Sequence, residues 1–301
     1  MPLFNPQQLL RPASVKEAVE ILERESGSAR LVAGNTTLYD LAQHSGLDDV
    51  KTLVDISHLG LSYIRDEGND HLEVGAATTF SELEHYNNKS GAASRGLDAL
   101  FETAAKITPP QVRNMATMGG ALCSGIPFLD MPTTVLALGA EIHTSSPRGE
   151  RRIKADEFFV DYFQTALEFD EMVTSIRFPY TDRGASSFIK LGRVTVDFAI
   201  LNVTTWISLD KEGRCIQCRI ALGAIANTPV RWKSLEEKFV GKSLTRESVS
   251  KILGESRDLS LAFEPQPSLG APSEYKKIVI PSLVRNSLLE SLKRSLAPAG
   301  R

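Results

Sequence analysis

The sequence predicts an α+β chain in two regions, and three observations carry that reading. Short strand-like runs alternate with amphipathic helical stretches as far as about residue 180. Strand-like runs then follow one another between residues 186 and 225, and amphipathic helix dominates from about 230 to 296. Pro179, Tyr180, Asp182 and Gly184 cluster where the two patterns meet, which sets the boundary there. A length of 301 residues suits about two domains.

The first predicted element is a helix over 14–24. Ser14 and Glu17 have capping-box spacing, and Val15, Ala18, Val19 and Leu22 form one apolar stripe. A strand over 30–33 breaks at Gly34-Asn35-Thr36-Thr37 and leads into a helix through Leu38 and Leu41. Residues 52–57 read as a strand, and 61–78 as a hairpin about an acidic Gly/Asn turn. Helices are predicted over about 79–86 and 95–106. From Ile107 to Thr134 few charges and many small residues show neither a period of 2 nor of 3.6, as expected of a functional segment. Strands return at 140–145, 151–155 and 171–179, then at 186–194, 198–210 and 215–225. The final helical stretch is broken by the Pro/Ser-rich segment 261–274.

Composition excludes several classes. The 42% apolar and 24% charged residues are those of an ordinary folded chain, not of a disordered or fibrous one. Thirty-four basic against 37 acidic residues leave a net charge of −3, so nothing global argues for nucleic acid or anionic lipid. No apolar run reaches the roughly 18 residues of a membrane span. The N-terminal stretch lacks the basic segment and apolar core of a secretory signal, so a cytoplasmic location is expected. Cys123, Cys215 and Cys218 cannot complete an iron–sulfur cluster, and His44, His58, His71, His85 and His143 show no metal spacing. No metal ligand and no catalytic side chain is therefore assigned, and redox work by this chain would need an organic cofactor.

Two glycine-containing loops carry the chemistry. In the first, Val32-Ala33-Gly34-Asn35-Thr36-Thr37, residues able to adopt positive φ precede a helix start, so amides converge on one concavity suited to pyrophosphate. The spacing is neither GxGxxG nor GxxxxGK[ST]. In the second, Thr117-Met118-Gly119-Gly120, paired glycines let a ligand approach the backbone. Asp130, ten residues further on, reads either as a ligand to sugar hydroxyls or as the N-cap of the helix it precedes.

The segments LVAGNTTLYDL, VGAATTFSELE, QVRNMATMGGALCSGIPFLDMPTTVLALGAEI, FIKLGRVTVDFAI and RIALGAIANTPVR occur in this order. Together they resemble the FAD-binding medium subunit of the molybdenum hydroxylases, of the xanthine dehydrogenase and carbon monoxide dehydrogenase type, over roughly residues 3–256. RN-x-A-T-x-G-G with its distant Asp is the most specific part. The resemblance implies an α+β fold of the vanillyl-alcohol oxidase / p-cresol methylhydroxylase type. Its two FAD-binding subdomains would be 1–56 and 57–178, and its C-terminal α+β domain 185–301. It implies FAD as cofactor. Val32, Ala33, Gly34, Asn35, Thr36 and Thr37 then match the pyrophosphate loop, with Arg30 where many members carry Lys. Thr117, Gly119 and Gly120 match the second loop and Asp130 a ligand-side carboxylate. Lys190 matches the Lys of a K-x-G-R stretch, Phe198 an aromatic position near the flavin ring, and Val173 an apolar position bordering FAD. Two residues depart from the pattern: Asn35 stands where a second Gly is common, and Ala121 where Asn is usual.

The implied function is electron transfer. Substrate would be oxidised on a large molybdopterin subunit, and electrons would pass through a small [2Fe–2S] subunit to FAD here, then to NAD, oxygen or another acceptor. A stand-alone FAD oxidoreductase of the same fold, and a structural subunit that has lost FAD, remain as alternatives.

Overall fold

The computed structural model describes residues 5–43, 47–68, 70–90, 95–181, 183–255, 264–268 and 271–296. His44, Asn69 of the predicted hairpin turn, Asp182 at the predicted boundary and much of 261–274 lie outside them.

Strands β1 (Gln8–Leu10), β2 (Ala29–Val32) and β3 (Thr52–Asp55) form a parallel sheet in the order β1-β3-β2. Helix α1 (Val15–Glu25) follows β1 and α2 (Thr36–Gln43) follows β2. The capping box is present, since Ser14 Oγ accepts the Glu17 N–H and Glu17 Oε2 accepts the Ala13 N–H. Ala18, Val19, Ile21 and Leu22 bury the α1 stripe in a cluster with Val54, Ile56 and Met172.

The expected hairpin is β4 (Ile64–Asp66) with β5 (His71–Gly75). With β6 (Glu141–Ser146), β7 (Gly149–Lys154) and β10 (Met172–Pro179) it makes an antiparallel sheet in the order β4-β5-β10-β6-β7. The one-turn helix α8 (Ala155–Phe158) and a short hairpin, β8 (Phe159–Asp161) and β9 (Gln164–Thr165), precede β10. Helices α3 (Phe80–Ser90) and α4 (Asp98–Lys106) occupy the two predicted helical stretches.

The aperiodic segment proves helical in pieces: α5 (Pro110–Arg113), α6 (Met118–Cys123) and α7 (Asp130–Leu138). The first two are too short to show a period. In α7 every residue is buried, so no polar face exists to reveal one.

The C-terminal part is an antiparallel sheet of β11 (Gly184–Leu191), β12 (Leu201–Leu209), β13 (Cys215–Gly223) and β14 (Val230–Arg231), in chain order. Cys215 and Cys218 are buried in β13 as ordinary sheet residues with free thiols. Helices α9 (Lys233–Phe239), α10 (Arg246–Glu255) and α11 (Ser273–Ser295) complete the region, and α11 packs on β11 and β12. Polar contacts tie it to α4: Arg294 donates to Glu102 and to the Ser186 carbonyl, and Lys106 donates to the Phe188 carbonyl. No described helix is long and apolar enough to cross a membrane.

Candidate functional site

Three loops that each lead into a helix converge on one cleft, the first from β2 to α2, the second from α5 to α6 and the third from β5 to α3. In the first, Asn35 takes φ +59° and its carbonyl accepts the Tyr39 N–H, which starts α2. The positive φ expected at this position is therefore present, carried by the non-glycine residue that tolerates it best. Gly34 is needed for a different reason. A Cβ there would lie 1.7 Å from the Met115 carbonyl oxygen, so the backbone of the second loop occupies the space a side chain would need.

The second and third loops are zipped together. Ala76 C=O accepts the Gly119 N–H at 2.8 Å, Thr78 C=O accepts the Met118 N–H at 2.9 Å, and Ala116 C=O accepts the Phe80 N–H at 3.2 Å. The Thr174 carbonyl accepts the Ala76 N–H at 3.0 Å, which continues the β5–β10 pairing into the third loop. A Cβ on Gly119 would press on Ala76 at 2.9 Å, whereas Gly120 is exposed and would meet only Thr117 Oγ1.

The cleft between these loops holds about 460 Å³, within the range of small-molecule sites. The first loop lines it with Ala33 and Gly34, and the second with Asn114, Met115 and Thr117. Sequence reasoning gave no role to Ser57, Ser62, Ala77, Thr79 or Glu82, which line the rest. One signal was available, the Thr79/Glu82 capping-box spacing directly after a predicted strand. Glu82 accepts from the Thr79 N–H and hydroxyl at 2.7 Å each and from the Ser62 hydroxyl at 2.8 Å. Burial works against its charge, but these donors win and hold the carboxyl below its ordinary range.

A donor census separates the loops. The amides of Met118 and Gly119 are spent on Thr78 and Ala76, and the Gly120 N–H on Thr117 Oγ1. The hydroxyl protons of Ser57, Ser62 and Thr79 go to Asp55 and Glu82. The first-turn amides of α2 have no acceptor within their own helix. With the dipole of that helix, these amides are suited to an anion.

Asp130 belongs to a second cluster and corrects one of its two readings. Leu129, not Asp130, holds the N-cap position of α7, and no side chain caps it. The Asp130 carboxylate instead accepts from Lys190 Nζ and Asn202 Nδ2, each at 2.9 Å. In a buried site a cation and an amide satisfy it better than backbone donors alone. Burial pushes the carboxyl up, against the pull of the Lys190 ammonium. Phe198 is 54% exposed and meets Phe128, two residues before Asp130 in the chain, edge-on at 5.0 Å between ring centroids. Three of the expected residues face elsewhere. Arg30 folds back onto the Gly27 and Ala29 carbonyls, while Val32 and Val173 are buried. Among the described residues no His/Cys/Asp/Glu cluster could hold a metal.

The arrangement has known counterparts. The profile of the family described as "FAD binding domain in molybdopterin dehydrogenase" matches residues 4–181, and that described as "CO dehydrogenase flavoprotein C-terminal domain" matches 186–291. The chain is 31% identical to the carbon monoxide dehydrogenase medium chain of Hydrogenophaga pseudoflava, over 92% of this chain and 94% of that one. It is 29% identical to the xanthine dehydrogenase FAD-binding subunit of Escherichia coli O157:H7, over 96% and 97%. Among solved structures, a chain of the Hydrogenophaga pseudoflava carbon monoxide dehydrogenase that lacks the Mo-pyranopterin moiety superposes with a TM-score of 0.87. The two are 29% identical over 96% of this chain and 98% of that one.

Proposed function

Since the chain belongs to the FAD-binding medium subunits of the molybdenum hydroxylases, we propose that it carries electrons within such a complex, from [2Fe–2S] clusters on a small partner to NAD, oxygen or another acceptor. A large molybdopterin subunit would oxidise the substrate. FAD is its cofactor, and the chain is an oxidoreductase subunit. Bound FAD supplies the redox chemistry that links one-electron clusters to a two-electron acceptor. The expected location of the complex is the cytoplasm.

The observation that carries the reading is the set of first-turn amides at the α2 N-terminus, beside a cleft that Ala33 and Gly34 line. The residues fit a dinucleotide. Asn35, Thr36 and Thr37 present backbone donors to pyrophosphate, and Ala33 and Gly34 keep that face free of bulk. Thr117 lines the same cleft, and the exposed Gly120, three residues on, leaves its side open for a ligand to approach. Asp130 and Lys190 offer a fixed acceptor and donor pair for sugar hydroxyls, and Phe198 an exposed ring for the flavin end. Arg30, Val32 and Val173 would act through the loop and strand they belong to rather than by touching the ligand.

Purification through a tag on this chain, from its own host, tests the proposal. The expected product is yellow, releases FAD rather than FMN with acid, and brings down two further chains with iron and molybdenum. A yellow chain without partners would favour a stand-alone oxidoreductase. A colourless one would favour a subunit that has lost FAD.

A further inference from the structure

The C-terminal region supports the segment 127–133 from behind, through three separate contacts. Asn202 Nδ2 donates to the Leu129 carbonyl at 3.4 Å as well as to Asp130. Gly223 lies so close to Thr133 Oγ1 and Asn202 Oδ1 that a Cβ would stand 2.1 and 2.2 Å from them. The Ala224 N–H donates to the Pro127 carbonyl at 3.0 Å.

That last contact depends on an unusual backbone. Ala224 takes φ +62°, a left-handed conformation in which the Cβ of an L-residue crowds the following carbonyl oxygen. Such a conformation persists where its surroundings over-determine it. One surrounding group is a lysine: Lys276 of α11 is completely buried and donates to the Ala224 carbonyl. Burial pushes its ammonium down to about 8. A buried ammonium is costly, and this one is aimed at the single carbonyl of the strained residue.

We propose that Lys276 is a positioning residue for the cofactor: by holding the Ala224 carbonyl it keeps Ala224 left-handed, so that the Ala224 N–H fixes Pro127 and with it the stretch that presents Phe128 and Asp130. The inference rests on the reading that this stretch meets FAD. Loss of the lysine lets Ala224 relax toward negative φ and moves its N–H off Pro127. The α11 core itself, built on Ile280, Val284 and Leu288, is left in place.

The test uses the complex purified through this chain, stripped of FAD and titrated with it well below its melting temperature. Lys276→Met should weaken FAD at least about tenfold, and Lys276→Gln, which still donates, should weaken it less. Ala224→Gly in the Lys276→Met background should restore most of the affinity, because glycine adopts the left-handed conformation without being held. A merely structural role would lower melting while leaving FAD affinity unchanged in the folded protein, and that result overturns the proposal. So does Lys276→Met without rescue by Ala224→Gly. If Lys276→Met alone fails to fold, the double variant against Lys276→Gln decides by the same affinities. Wild-type complex that takes up no FAD overturns the underlying cofactor reading as well, and is told apart by the wild-type titration.

Discussion

The two glycine loops look alike in sequence and differ in what they contribute. In the first, the α2 amides are free and Asn35 supplies the turn. In the second, the amides of 118 to 120 are all engaged within the protein. A glycine loop that leads into a helix can thus be either a donor cradle or a scaffold. Counting where each N–H goes distinguishes them, whereas counting glycines does not. The second loop holds the first at the right distance, because Gly34 rests on the Met115 carbonyl.

The strongest way to break that relation is Gly34→Ala. Its methyl would overlap a backbone oxygen held by neighbouring hydrogen bonds, so the two loops must part. Overpacking of this kind costs about 2–3 kcal/mol, and FAD retention should be lost with it. Thermal melting of the FAD-free protein and flavin absorbance after desalting check both. Normal melting would mean that the loops do not need their contact.

Asp130→Ala comes next. It leaves Lys190 half of a buried pair, its side chain 13% exposed beside a carboxylate at 6%. The expected loss is about 2 kcal/mol in the FAD-free protein, together with weaker FAD. Asp130→Asn keeps one acceptor and should lose about half as much stability. Because Asp130 is not the cap of α7, Asp130→Asn should melt below wild type. An Asn variant that melts like wild type while only the Ala variant loses stability would point away from the Lys190 pair and back to backbone capping.

Much of this was legible in the sequence, for identifiable reasons. The Ser14/Glu17 box and the α1 stripe are local, and local patterns survive folding unchanged. Asn35 was legible because few residues accept its φ. The α5–α7 stretch was not, since short helices and a helix buried all round carry no period. Gly34 stood out as a glycine able to adopt positive φ, yet it does not adopt one, and its requirement is a contact with a residue 81 positions away, which no local reading reveals. Ser57 and Ser62 reach the cleft from exposed turns and leave no trace in spacing. The Asp130–Lys190–Asn202 cluster needs two strands of a separate sheet to come together, so only the Asp130 and Lys190 resemblance hinted at it.

Gly120→Val separates scaffold from ligand contact in the second loop. Gly120 is helical rather than left-handed, but a Cβ there would stand 2.9 Å from Thr117 Oγ1, the N-cap oxygen that accepts the Gly120 N–H, with open space beyond. Apo stability should therefore fall by only about 1 kcal/mol, the cost of weakening one helix cap. FAD retention should nonetheless fall sharply, because the space outside Gly120 is where a ligand would lie. Circular dichroism beside flavin absorbance reads the two separately. A folded variant that keeps its flavin would reduce the second loop to scaffold alone, which is the sharpest form of the comparison.

The smallest effect belongs to the third loop, at Glu82. Its carboxylate gathers the Thr79 N–H and two hydroxyls on the rim of the cleft, and so sits below its ordinary pKa of 4.5. A carboxyl lowered on folding stabilises the folded chain above its unfolded pKa, and that contribution disappears as pH falls through the folded value. Glu82→Gln should therefore melt below wild type at pH 7 by the equivalent of about 0.5 kcal/mol, as for the loss of part of an exposed capping box. The gap should close as pH drops below about 4. FAD affinity at pH 7 should change little, because the three donors face Glu82 and not the ligand. A large loss of FAD with unchanged melting would instead show that Glu82 orients the Ser62 and Thr79 hydroxyls for the cofactor, and the third loop would then join the first as part of the cradle.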